Sequence, residues 1–118
     1  MHIMIQIVLK PEDLCRFVKE VVGKQDIDCN NYKAILEEVY NYIKQHIVFD
    51  IDLKCDCNDM IKFYLVRGVD NSFIIFKLVY YKGINEFSVF VTVSTDYVWK
   101  VSDIINTLGK YAKFIDAV

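Results

Sequence analysis

Residues 73–82 carry apolar side chains at both odd-numbered and even-numbered positions, and this run constrains the fold more than any other segment. Successive side chains of a β-strand point to opposite faces, so an antiparallel sheet with one solvated face alternates apolar and polar residues. A strand made from this run must instead be covered on both faces. Its two apolar sets are Phe73, Ile75, Val79 and Tyr81 on one face and Ile74, Phe76, Leu78 and Tyr80 on the other.

Several other segments have the period of two that is typical of strands. Residues 2–9 place four aliphatic side chains on one face, and residues 49–54 alternate apolar side chains with Asp50, Asp52 and Lys54. Further strands are predicted at 61–66, 73–82 and 86–94, with turns at 55–59, 68–72 and 83–85. Because the last four strands follow one another on short turns, we predict an antiparallel meander.

Three segments have the spacing of amphipathic helices. Pro11, followed by acidic residues, predicts a helix start, and the first helix covers residues 11–22. A long second helix follows from residue 32, with apolar side chains at spacings of three and four up to Ile47. Thr95 or Asp96 is a suitable cap for a last helix, whose apolar stripe extends to Ile115, although a glycine at position 109 weakens its second half.

The predicted order of elements is therefore β-α-α-β-β-β-β-α, with an antiparallel sheet and helices packed on one of its faces. This is an α+β fold, and we expect residues 1–118 to form a single domain. The order resembles a shortened helix-grip arrangement, and that resemblance implies an apolar ligand held between the sheet and the last helix.

Composition excludes several classes of protein. Hydrophobic residues make up 54% of the chain, which excludes intrinsic disorder, and charged residues interrupt every apolar stretch before it reaches the length of a membrane span. The net charge of −2 makes nucleic acid an unlikely partner. The first nine residues lack a basic leader, so we expect a cytoplasmic protein with no membrane association.

The four cysteines do not resemble a secreted disulfide framework, so reduced thiols are the default expectation. The exception we consider is a bridge from Cys55 or Cys57 to Cys15 or Cys29. A metal site at the Cys55-x-Cys57 pair, with Cys29 or His46 as outside ligands, lacks the second Cys pair that structural zinc sites favour. Whether Cys55 and Cys57 are free, bridged or metal-bound stays open.

Asp50, Asp52 and Lys54 share one face of a predicted strand, as in metal-dependent nucleases of the Asp/Glu-x-Lys kind, and Glu37 or Glu38 could add a ligand. The competing interpretation is the solvated face of an edge strand, where charge prevents aggregation. We favour that interpretation and predict no catalytic residue, no metal and no cofactor.

The functional prediction is a non-enzymatic binding protein that acts as a homodimer or with another protein partner. It follows from the surplus of apolar surface, since large exposed apolar patches are uncommon on monomers. The alternatives are the apolar-ligand binder and the nuclease. The residues proposed to form the oligomer or partner surface are Tyr64, Phe76, Tyr80, Tyr81 and Phe90.

Overall fold

The computed structural model describes residues 1–47, 51–57, 60–69 and 71–118, and the side chains of all of these except 51–57, 60, 62, 64 and 69. The strands are β1 (His2–Leu9), β2 (Ile51–Cys57), β3 (Met60–Val69), β4 (Ser72–Tyr81), β5 (Glu86–Ser94) and β6 (Phe114–Ala117). The helices are α1 (Pro11–Phe17), α2 (Tyr32–His46) and α3 (Val98–Gly109). The predicted α+β class and the predicted element order are confirmed, and β6 is an additional short strand.

The strands form a six-stranded sheet in the order β2-β3-β4-β5-β1-β6, and every neighbouring pair is antiparallel. The meander from β2 to β5 is confirmed, with β1 returning to lie beside β5. The register aligns one row of side chains across four strands, and all four are buried. This row consists of Phe63, Leu78, Val89 and Ile7.

Local residues explain where α1 begins and ends and where α2 begins. Pro11 occupies the first turn of α1, which continues as a π-helical turn over Val18–Val22 and ends at Gly23 with a φ of 89°. A positive φ favours glycine, which has no Cβ to clash. Helix α2 is capped by Asn31, whose side chain accepts a hydrogen bond from the Ala34 amide at 3.1 Å.

The three helices cover the same face of the sheet, as predicted. Their buried stripes join the inward side chains of β1, β3, β4 and β5 in one hydrophobic cluster. None of the helices in the described part of the chain is long and apolar enough to cross a membrane. The helical members of the cluster are Leu14, Cys15, Phe17 and Val18, then Ile35, Leu36, Val39, Tyr40 and Ile43, and finally Val101, Ile104 and Leu108.

The last helix differs from the prediction at both ends. A 3-10 turn, Thr95–Tyr97, precedes it, and no side chain caps its N-terminus. The helix ends at Gly109, and the chain then reaches β1, where the Lys113 amide donates to the Val8 carbonyl at 2.7 Å. A Cβ on Gly109 would lie 2.9 Å from Cδ1 of Ile115, the end of a flexible and half-exposed side chain that can move aside.

A disulfide bond joins Cys15 of α1 to Cys29 in the connection before α2, which corrects the expectation of reduced thiols. The exception considered from sequence, a bridge from Cys55 or Cys57 to one of these two residues, is also wrong, because Cys15 and Cys29 pair with each other. The 23–31 connection returns to α1 and brings Cys29 against the core. The bond therefore ties the α1 to α2 connection to the sheet-facing helices.

We predict that replacing both cysteines, Cys15→Ala with Cys29→Ala, lowers the free energy of unfolding by about 3 kcal/mol, since the bond closes a loop of 14 residues. Urea unfolding of oxidised wild type, reduced wild type and the double variant measures the loss. Reduced wild type should behave like the double variant. Equal stability of oxidised and reduced wild type would contradict the role of the bond.

Candidate binding surface

The face of the sheet opposite the helices is called the open face here. Register places alternate residues of five strands on it. The buried side chains of all three helices lie in the cluster on the other side. The described members of the open face are His2, Met4, Gln6 and Val8; Val66 and Gly68; Phe73, Ile75, Lys77, Val79 and Tyr81; Glu86, Ser88, Phe90, Thr92 and Ser94; and Phe114 and Asp116.

Polar side chains lie over the apolar centre of the open face. The Lys77 ammonium lies 5.1 Å from the centroid of the Phe90 ring, a cation–π contact between neighbouring strands. Gln6 Nε2 donates to Ser88 Oγ at 3.1 Å. Val79 is fully buried although it lies on the face away from the helices. The surface is thus a mixed apolar and polar patch, the composition that protein interfaces commonly have.

Hydrogen bonds fix one end of the open face. Ser94 Oγ accepts from the Phe73 amide at 2.9 Å and donates to the Phe73 carbonyl at 3.2 Å. The Ser72 hydroxyl donates to the Asp96 carboxylate, and this hydrogen bond is the main cause that lowers the pKa of Asp96. These contacts join the start of β4 to the end of β5. They fix the backbone of Phe73, and with it the position from which its ring extends.

Two of the five predicted surface residues lie on the core face instead. Phe76 is fully buried and Tyr80 is 8% exposed. The Tyr80 ring lies 4.4 Å from that of Tyr32, and its hydroxyl donates to Asn85 Oδ1 at 2.7 Å. Burial, together with the neighbouring Tyr32, raises the pKa of Tyr80. Phe76 and Tyr80 therefore belong to the packed interior and do not join the other predicted residues on one surface.

The other three predicted residues share the open face or its register. Tyr81 and Phe90 are half-buried there. Tyr64 pairs with Lys77 in the ladder, and its side chain lies outside those described. The predicted set omitted Lys77 and Phe73, although the period of two already placed both with Tyr81. Alternation along the strand would have separated the two faces, whereas aromatic character alone did not.

The residues of the nuclease and metal hypotheses fall largely outside the described side chains. Asp50 lies outside the described residues, and Asp52 and Lys54 are described only as backbone of β2, at the edge of the sheet. His46 is described: its Nδ1 lies 2.8 Å from the Tyr42 carbonyl, which only accepts, so Nδ1 carries the proton. Both hypotheses stay predictions.

Comparison with known proteins adds no relative. No family model matches the chain, and neither a curated protein nor a solved structure is found to be similar to it.

Unequal losses of stability are expected for the two phenylalanines, which lie on opposite faces of the sheet. Phe76→Ala should lower the free energy of unfolding by about 3–5 kcal/mol, because it leaves a cavity in a fully buried site. Phe90→Ala, on the half-buried open face, should cost about 1 kcal/mol. Chemical unfolding monitored by circular dichroism measures both. Equal losses would contradict the assignment of faces.

Divalent cations provide the test for the acidic strand. If Asp50 and Asp52 belong to a solvated edge, magnesium and manganese should leave the melting temperature unchanged, and the double Asn variant should change stability by at most about 0.5 kcal/mol. Clustered carboxylates that bind a metal would instead gain stability from it by linkage. A rise of several degrees that the Asp50→Asn, Asp52→Asn variant abolishes would restore the nuclease hypothesis.

Proposed function

We propose that the chain is a non-enzymatic binding protein that acts as a homodimer, with the open face as the interface. The observation that carries the proposal is the apolar content of a sheet face that lies away from all three helices. Phe73, Ile75, Tyr81 and Phe90 remain half-exposed on that face. Half-exposed apolar side chains gain free energy when a second surface removes them from water.

Charge on the open face favours a second copy of the chain as the occupant. One register row crosses four strands as Lys77, Phe90, Gln6 and Asp116. In a face-to-face dimer with a two-fold axis parallel to the strands and between β5 and β1, β4 of one protomer lies over β6 of its partner. Each Lys77 then faces the Asp116 position of the other protomer, and the symmetry makes this contact twice.

The neighbouring row supports the same arrangement. It carries Val79, Ser88, Val8 and Phe114, so the same axis places the Phe114 ring over the Val79 position. Phe114 is 44% exposed, at the free edge of the sheet. Stacked sheets pack about 10 Å apart, which leaves room for apolar side chains to interdigitate between them. Apolar residues therefore meet apolar residues where the charges also pair.

The overlap between the two open faces is smaller than a typical interface before side-chain relief is counted. The axis between β5 and β1 overlays four strands, β4, β5, β1 and β6, which at about 4.8 Å spacing present a surface of roughly 19 by 25 Å. Because β6 has only four residues, the projected area is roughly 400 Å², and side-chain relief increases the accessible area. Typical specific interfaces bury about 800 Å² on each partner. A face-to-face dimer therefore needs all of this overlap.

Charge exchange tests this arrangement directly. Lys77→Glu and Asp116→Lys should each raise the dimer dissociation constant at least about tenfold, because each places like charges together twice per dimer. The double variant restores opposite charges and should recover most of the affinity. Sedimentation equilibrium measures the constants. Lys24→Glu is the matched control, since it makes the same charge change beside α2 and should leave the dimer intact.

Two results would contradict the proposal. A wild-type chain that remains monomeric at micromolar concentration would remove self-association, and another protein would then be the candidate occupant. A dimer whose affinity the double variant fails to recover would place the interface elsewhere, for example along an edge strand.

The other predicted functions have less support. The helix-grip hypothesis requires an apolar ligand between the sheet and α3, yet Val101, Ile104 and Leu108 already bury the apolar stripe of that helix in the core. The cytoplasmic location predicted from the first nine residues gains no support from the Cys15–Cys29 bond. Such bonds are usual in oxidising compartments and in hyperthermophile cytosol, so the proposal does not include a compartment.

A further inference from the structure

A cleft of about 430 Å³ lies on the helix side of the molecule, away from the open face. It is bounded by the C-terminal end of α2, the first two turns of α3 and β3. Small-molecule sites span about 300–1,000 Å³, so a ligand the size of a mononucleotide fits this cleft. The residues that line it are His46, Ile47, Arg67, Trp99, Lys100 and Asp103.

Arg67 supplies a positioned cation at the floor of the cleft. It pairs in the ladder with Ile74, which is fully buried, so Arg67 leaves the sheet on the helix side. Its Nε atom is buried, while the residue as a whole is half-exposed and lines the cleft. Arg67 also interacts within the fold, and because a guanidinium carries five N–H donors it can donate to a carboxylate or phosphate as well.

Trp99 and Lys100 form the wall of the cleft on α3. The Trp99 side chain is 70% exposed, which is unusual for so large an apolar residue. The Lys100 ammonium lies 4.7 Å from the Trp99 ring centroid and 5.6 Å from that of Tyr97. A cation is therefore held beside an accessible aromatic ring, in the first turn of a helix whose dipole also favours an anion.

We propose that this cleft binds a small anion that carries a flat aromatic ring. Arg67 and Lys100 hold the anionic group, and the Trp99 indole stacks on the ring. Asp103 lies one turn after Trp99, where its carboxylate accepts hydrogen bonds from a ligand hydroxyl or amine. Among the described residues that line the cleft, Arg67 and Lys100 carry positive charge and Asp103 negative charge, so the anionic group lies against Arg67 and Lys100 and away from Asp103. A nucleoside phosphate and an aromatic carboxylate share this chemistry.

Tryptophan fluorescence reports directly on the proposed site, because Trp99 is the only tryptophan of the chain. The wild-type protein is titrated with adenosine monophosphate, nicotinate and ribose 5-phosphate, and calorimetry confirms each constant. We expect saturable quenching by at least one of the two ring-bearing anions, and the tighter one identifies phosphate or carboxylate as the preferred group. Ribose 5-phosphate, which lacks the ring, should bind at least about tenfold more weakly than that ligand.

Charge-removing variants test which residues hold the anion. Lys100→Met and Arg67→Met should each weaken binding of the tighter ligand at least about tenfold. Lys24→Met is the matched control. It removes a lysine from a separate cleft of about 590 Å³ beside α2, and it should leave the affinity unchanged. If Arg67→Met fails to fold, the half-exposed Lys100 decides the result, since its replacement removes no core contact.

Three outcomes would overturn the proposal. The first is the absence of saturable quenching or heat with either ring-bearing ligand up to about 10 mM. The second is binding of ribose 5-phosphate as tight as that of the ring-bearing ligands, which would remove the role of Trp99. The third is an equal loss of affinity in Lys100→Met and Lys24→Met, which would indicate nonspecific attraction. None of these depends on whether the chain forms a dimer.

Discussion

The structure depends on one row of buried side chains that crosses four strands, from Phe63 through Leu78 and Val89 to Ile7. Each fully buried side chain of this size contributes about 1.5–3 kcal/mol relative to exposure, and the helical stripes complete the burial. Because all three helices are needed on that side, none covers the other face. The doubly apolar β4 therefore has one face in the core and one face that no helix of the described chain covers.

The sequence was sufficient for the parts of the fold that depend on local periodicity. The period of two along β4 and β5 predicted the meander, and the three-and-four spacing predicted α2 almost to its ends. The same period of two also separates the faces, since Phe76 and Tyr80 occupy even-numbered positions of β4 and Tyr81 an odd-numbered one. The candidate surface mixed both faces because its residues were chosen for aromatic character and proximity along the meander. Side-chain type does not distinguish a core aromatic residue from a surface one.

The sequence was insufficient where distant segments meet. The Cys15–Cys29 bond forms because the connection after α1 returns to that helix, which no local pattern specifies. Strand β6 pairs with the free edge of β1. Its segment of four residues is too short to show the alternation that would identify a strand in the sequence. Its Ile115 also continued the helical stripe of α3. In the structure the helix ends at Gly109, and Ile115 pairs with Ile7 of β1 instead.

Two cation–aromatic pairs mark the two proposed sites, and the sheet keeps them apart. Lys77 lies over Phe90 on the open face, whereas Lys100 lies beside Trp99 on the helix side. A ligand in the cleft would alter dimer affinity only if it bound monomer and dimer differently, which requires an element with two arrangements. The element between the sites is the hydrogen-bonded ladder around fully buried Leu65, which the structure shows in a single close-packed arrangement. Self-association and ligand binding should therefore be energetically independent, so that each proposed site is a separate binding function of the same sheet.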